Sequence, residues 1–393
     1  MAPSVAEPKF AYFDSQKKAF NSKNAQKYTG PSPYAEKGDK AVVEFKGPQK
    51  PSGALDAKHS FNELTPVIGR EYPDVQLSEL LKDDELLRDL AITISHRGVV
   101  FFRNQDITPE QQKVLADKLG KLTGKPESSG LHIHPTAPAG GVLKEGTDEI
   151  DPEVSLISSR LQKKLYINNT GRRYGFNDKP FDNHGWHSDI TFEPVPSDYA
   201  ILKIVETPST GGDTLWHSGY AVYDEISPSL REYLKTLTGT YAQPGFKKAL
   251  DNQDVDFYSG PRGSPENVGD ELTAVHPIIR TNPVTGWNSV FALGEHFTRI
   301  NEVTQEESNI LSKYIAQLVL RNHENRVRYK WGKNDVAIWD NRSVFHNATK
   351  DIFKYSTEER SGVRTVGIGE RPFLHKDGKS RAEELNGQPL AYN

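Results

Sequence analysis

The sequence predicts a mainly β fold with peripheral helices, a sandwich or jelly roll, on three observations. Short apolar runs (YAILKIVE, DTLWHS, TAVHPIIRT, SVFALG, VRYKW, DVAIWD and GVRTVGIG) follow one another with turn residues between them. Segments with a helical period are few and lie between or before those runs. The regular strand–helix alternation that a parallel α/β sheet needs is missing, and no internal repeat is visible.

The elements follow in chain order. Residues 1–58 are rich in Lys, Pro, Gly, Ser and Ala and lack a sustained apolar period, so they read as an extended arm, with 59–393 as the folded domain. Leu77, Leu80, Leu81, Leu86, Leu87, Leu90 and Ile92 recur at helical spacing, and RGVVFFRNQ reads as a buried strand. A second helix starts at Thr108, whose hydroxyl and Gln111 make a capping signal, and ends near Gly120. The stretch from about Ser128 to Pro180 reads as loop, with LKEGTDEIDPE as a solvated excursion. Two further helices, YDEISPSLREYLKTL and TQEESNILSKYIAQLVLRNH, interrupt the strands.

Composition excludes several classes. A chain of 393 residues with 35% hydrophobic and 26% charged side chains is neither a stapled miniprotein nor a disordered protein. A net charge of −4 gives no global field for nucleic acid or an anionic membrane. No run of about 18 apolar residues occurs and the amino terminus has no apolar signal core, so a cytoplasmic protein without a membrane segment is expected. Cysteine is absent, which removes disulfides, thiolate metal sites and cysteine nucleophiles, and leaves His, Asp and Glu as strong metal ligands. A homo-oligomer is compatible with all of this.

The most informative window is DNHGWHSDITF, Asp182 to Phe192. On an extended strand residues two apart share a face, so His187 and Asp189 can present an imidazole and a carboxylate to one point. His346, at the end of another apolar run, is a candidate third ligand, and two histidines with one carboxylate leave coordination positions open on Fe(II). A serine hydrolase is disfavoured because no G-x-S-x-G occurs. Arg360 and Arg364, four apart on an alternating run, share a face; they read either as surface arginines in salt bridges or, given their position after His346, as two guanidiniums facing one cavity that need two anions. Gly367 and Gly369 lack the context of a dinucleotide fingerprint and suit a bend.

These blocks (WHSDITF, PSTGGDTLW, IWDNR and the segment from His346 to Arg364), in this order and spacing, resemble the taurine dioxygenase family of Fe(II)/2-oxoglutarate oxygenases, in its fungal type. The resemblance runs from roughly Leu64 to Phe373 and implies a double-stranded β-helix. It implies that His187, Asp189 and His346 hold iron, and that Thr214 and Arg360 grip the far carboxylate of the cosubstrate 2-oxoglutarate, with O2 as second cosubstrate. It further implies His134 and Arg364 for a substrate anion, Asp182 and Asn183 for a substrate amine, and Phe297 for the pocket wall.

The reaction implied is oxidation of a C–H bond in a small zwitterion or anion, a taurine-like sulfonate or an amino acid, with release of succinate and CO2. Ala137, where taurine enzymes carry tyrosine, and a longer segment from Ala139 to Gly175 leave room for a biosynthetic alternative: hydroxylation, desaturation or aziridine-type closure of an amino acid. Three extra residues between His346 and the arginines, relative to the bacterial enzymes, bear on Arg364 more than on Arg360. A non-catalytic jelly-roll binding protein is the alternative of another class.

Overall fold

The computed structural model describes residues 41–163, 185–251, 255–291 and 293–387. Two sheets face one another across a layer of aromatic side chains. The larger has seven strands in the order Asn62–Glu63, Arg70–Tyr72, Val99–Phe102, Val336–Asp340, Ser197–Glu206, Ser361–Ile368 and Ser155–Ser158. The smaller has Thr214–Ser218 between Arg326–Tyr329 and Val344–Ala348, antiparallel on both sides.

Strand periodicity sorts the core into two layers. In Val336–Asp340, Val336 and Ile338 face the helices Asp84–Arg97 and Pro109–Leu122, among Leu87, Leu90, Leu115 and Leu119. Ala337 and Trp339 face the smaller sheet, among Trp216, Val327 and Val344. Trp216, fully buried, meets Phe101, Trp339 and Trp331 with ring centroids 5.2, 5.8 and 6.1 Å away. That aromatic layer makes a rigid floor for whatever the smaller sheet carries.

The sequence-based elements hold with local differences. The leucine-rich period splits into Leu77–Leu80 and Asp84–Arg97, because the Asp83 carboxylate accepts the Glu85 and Leu86 N–H groups and starts a new helix there. YDEISPSLREYLKTL likewise gives Gly219–Glu225 and Pro228–Leu234, since Pro228 is suited to open a helix and not to continue one. TAVHPIIRT is two strands, Thr273–Pro277 and Ile279–Thr281. The Thr108 and Gln111 capping box forms, and the helix runs to Leu122.

Within the stretch read as loop, Ser155–Ser158 pairs with Ser361–Ile368 as an edge strand and a short helix, Ser159–Gln162, follows. The charged excursion is a surface turn exposed from Glu145 to Glu149. Residues 1–40 of the expected arm lie outside the described residues. Its last part lies along the domain: the Gln49 N–H donates to Val284 O, Phe45 packs on His375, and the Asp89 carboxylate gathers the N–H groups of Ser52, Gly53 and Leu55. Among the described residues, no helix is long and apolar enough to cross a membrane.

Candidate metal centre and cosubstrate site

The site begins where the smaller sheet gains one more rung. His187 and His346 form an isolated antiparallel bridge, donating to each other's carbonyl oxygens at 3.1 and 2.8 Å. His346 is also paired with Trp216 in the sheet, so both imidazoles start from fixed backbone. The His187 Nδ1–H donates to Gly185 O at 2.8 Å, which leaves Nε2 free to act as a ligand.

Asp189 reaches the same point by a different route from the one expected. Only His187 keeps strand pairing; the chain turns at Asp189, and Ile190 takes φ +64°, a left-handed conformation that a β-branched residue adopts only under constraint. The constraint is visible. The Asp189 N–H donates to Asn341 Oδ1 at 3.0 Å, and the Ser188 hydroxyl donates to Val344 O at 2.6 Å. Gly294 must also be glycine, because a Cβ there would sit 2.0 Å from Trp186 O.

The three ligand atoms lie within 4.8 Å of one another. Asp189 Oδ1 is 3.7 Å from His187 Nε2 and 3.8 Å from His346 Nε2, separations one ion can span with bonds of about 2.1 Å. It is the one such cluster of three among the described residues. Two imidazoles and one carboxylate suit Fe(II) with open positions. Burial opposes charge on Asp189, yet the Arg364 guanidinium, 2.8 Å away, and the two histidines outweigh it and hold the carboxyl far below its ordinary range. Burial depresses His346 to about 3, so its imidazole is neutral, as a ligand must be.

Arg360 and Thr214 meet beside this centre. Gly211 and Gly212 both have positive φ, and a Cβ on Gly212 would lie 3.0 Å from Arg360 Cδ, so the glycine pair clears the path of the guanidinium. Arg360 donates to Thr214 Oγ1 at 3.2 Å, and the Trp331 Nε1–H donates to the same oxygen at 3.0 Å. Arg360 forms no ion pair among the described residues, its Nε has no partner there, and burial lowers its pKa to about 10. A buried cation in that state calls for an anion.

Residues 60–366 match the family described as "Taurine catabolism dioxygenase TauD, TfdA family". The chain belongs to that family. It is 45% identical over 359 residues to the alpha-ketoglutarate-dependent dioxygenase btcD of Neocamarosporium betae, covering 86% of this chain and 98% of that one. It is 29% identical to an alpha-ketoglutarate-dependent sulfonate dioxygenase of Saccharomyces cerevisiae, covering 74% and 62%. A crystal structure of a taurine dioxygenase from Burkholderia xenovorans superposes with a TM-score of 0.58 at 26% identity, covering 82% and 92%. The jelly-roll fold follows, as does the chemistry: the chain is an Fe(II)- and 2-oxoglutarate-dependent dioxygenase, and not an idle binding protein. Iron held by His187, Asp189 and His346 would supply O2 activation coupled to the oxidative decarboxylation of 2-oxoglutarate.

The remaining candidates fall on both sides of the centre. His134 Nδ1 accepts the Thr136 N–H at 3.1 Å, and burial followed by the Arg364 charge lowers the ring to about 3. The neutral ring therefore carries its proton on Nε2. Phe297 packs on Tyr241, with centroids 5.6 Å apart, while its neighbour His296 turns toward the metal centre, 5.6 Å from the His187 ring. Asp182 and Asn183 lie outside the described residues. Four residues escaped the sequence reading: Asn341, visible only as part of IWDNR, and Trp331, His296 and Phe246, for which the linear sequence offers no signal. Phe246, on the helix Gly245–Asp251, packs tilted against His134 with ring centroids 4.8 Å apart.

Proposed function

We propose that this dioxygenase oxidises a C–H bond of a small amine-bearing anion, a taurine-like sulfonate or an amino acid. Arg360 and Thr214 hold the far carboxylate of 2-oxoglutarate, and Arg364 with His134 receive the substrate anion. One observation carries this reading: two guanidiniums, Arg360 buried and Arg364 half-buried, lie at one metal centre, and neither is fully satisfied. Arg360 has no anion among the described residues, and Arg364, though paired with Asp189, keeps a buried Nε without a partner. A planar fork with spare N–H groups binds carboxylate or sulfonate oxygens at two points, and the His134 Nε2–H adds a third donor.

Asp182 and Asn183 recognise the substrate amine, and Phe297 closes the pocket from its place beside Tyr241. The enzyme is cytoplasmic, residues 1–58 form an arm on a single domain spanning 59–393, and neither nucleic acid nor membrane is a partner. A biosynthetic amino-acid oxidation is the second reading. It is favoured by Ala137, which sits in a short turn, Ala137–Ala139, near His134.

Succinate formation with Fe(II), O2 and 2-oxoglutarate tests both, using taurine, other short sulfonates and free amino acids. Sulfite release marks the sulfonate reading, and a new amine product without sulfite marks the second. If none of these compounds stimulated succinate formation, the amine-bearing anion would be the wrong substrate class.

A further inference from the structure

The Thr214 hydroxyl has one hydrogen to give and two lone pairs with which to accept. Trp331 Nε1–H and an Arg360 N–H both point at its oxygen, 3.0 and 3.2 Å away, and neither group can do anything but donate. Both lone pairs are thereby taken. The hydroxyl hydrogen is the only capacity left, and it must be given to an acceptor. We propose that Trp331 is a positioning residue that locks Thr214 as a donor, so that this subsite accepts a carboxylate and rejects a ligand bearing N–H at the same place. The proposal rests on Thr214 and Arg360 holding the far end of 2-oxoglutarate, and adds the reason why that end must present an acceptor to Thr214.

The surroundings of Trp331 suit the role. Its indole is buried, lies edge-on to Tyr329 and Trp216 with centroids 5.3 and 6.1 Å away, and has the Arg360 guanidinium 5.7 Å from its ring centre. Packing on three sides leaves the N–H a single direction, toward Thr214. Trp331 follows Arg326–Tyr329, and Thr214 pairs with Tyr329 in that ladder, so the hydroxyl and the indole are set by neighbouring rungs. A tryptophan that only filled core volume would have no need of that alignment.

The test compares 2-oxoglutarate with 2-oxoglutaramate, in which an amide replaces the far carboxylate, by calorimetry on the Mn(II)-loaded full-length protein. Trp331→Phe keeps the aromatic filling and removes the N–H. It should weaken 2-oxoglutarate binding by about three- to tenfold, the worth of one hydrogen bond. The preference for carboxylate over amide should shrink as well, because a freed lone pair can then accept from the amide. In a Thr214→Val background, Trp331→Phe should add nothing, giving a coupling that a general packing defect would not show. Replacing Trp331 with 3-benzothienylalanine, which keeps the bicyclic shape without the N–H, repeats the comparison should the phenylalanine variant not fold.

An unchanged carboxylate-to-amide preference in these variants overturns the lock. A Thr214→Val protein that binds 2-oxoglutarate like wild type would instead overturn the cosubstrate assignment beneath it, so the two failures are distinct.

Discussion

His187 and His346, far apart in the sequence, exchange both backbone hydrogen bonds as directly opposed residues. Residues opposed in this way project to the same side, and the two imidazoles lie next to each other with ring centroids 4.2 Å apart. Metal affinity in this protein is therefore a property of sheet registry, and the third ligand is the one whose placement needs extra devices.

From that geometry, His187→Ala and His346→Ala should each abolish turnover and lower Mn(II) affinity, because one imidazole and one carboxylate do not fix a site. The backbone pairing survives either change, so the circular dichroism spectrum should remain that of wild type. Full activity in either variant would remove iron from this site.

The extra device for Asp189 is Asn341. Its Oδ1 accepts from the Asp189 N–H and from Trp339 Nε1–H, while its amide donates to Ser197 Oγ. With Ile190 held at φ +64°, the turn is under strain that these bonds offset. Asn341→Ala should cost about 10–100-fold in Mn(II) affinity. Its effect on 2-oxoglutarate affinity, measured at saturating metal, should be slight. An Asn341→Ala protein with wild-type metal affinity would show that the turn holds itself.

Much of this was legible in the sequence, and the limits have physical causes. The strands were visible because buried runs such as VAIWD are apolar over their whole length, and the ligands because H-x-D and a downstream histidine recur with a fixed set of neighbours. The turn at Ile190 was not, since nothing in isoleucine announces a left-handed conformation that only long-range bonds enforce. Trp331 and His296 were missed for the same reason: their significance lies in which distant atom they face.

Gly367 and Gly369, legible only as a bend, have a further explanation that yields a pH prediction. A Cβ on Gly367 would lie 2.3 Å from Asp198 Oδ1, and one on Gly120 would lie 2.4 Å from Asp198 Oδ2, so the glycines make room for a buried carboxyl. Burial pushes Asp198 up to about 6, against the opposing pull of Lys125, from an ordinary value of 3.8. The folded state thus holds this proton more tightly than the unfolded chain does. Its stabilising contribution is complete below about pH 3.8 and is lost as pH rises through about 6. The urea midpoint of Asp198→Asn should depend less steeply on pH across that window than the wild-type midpoint. Identical slopes would mean that Lys125 keeps Asp198 ionised throughout.

Arg364 is the residue on which the proposed substrate class turns. One of its N–H groups is committed to Asp189 at 2.8 Å, while the buried Nε has no partner among the described residues. It therefore has an ion pair to the metal-site carboxylate at one N–H and an open donor at another, the donor assigned to the substrate anion in the proposed function. Arg364→Lys keeps the charge, and with it the Coulomb support of the Asp189 carboxylate, but loses the planar fork. Substrate affinity should fall by about tenfold, on the scale of one charge-assisted hydrogen bond, while 2-oxoglutarate and Mn(II) affinities stay near wild type. Succinate production should then exceed substrate oxidation, because a loosely held substrate leaves the activated site without its target. The two products measured side by side check this. Should Mn(II) affinity fall and substrate affinity hold, Arg364 serves the Asp189 carboxylate alone, and the substrate anion must be bound elsewhere.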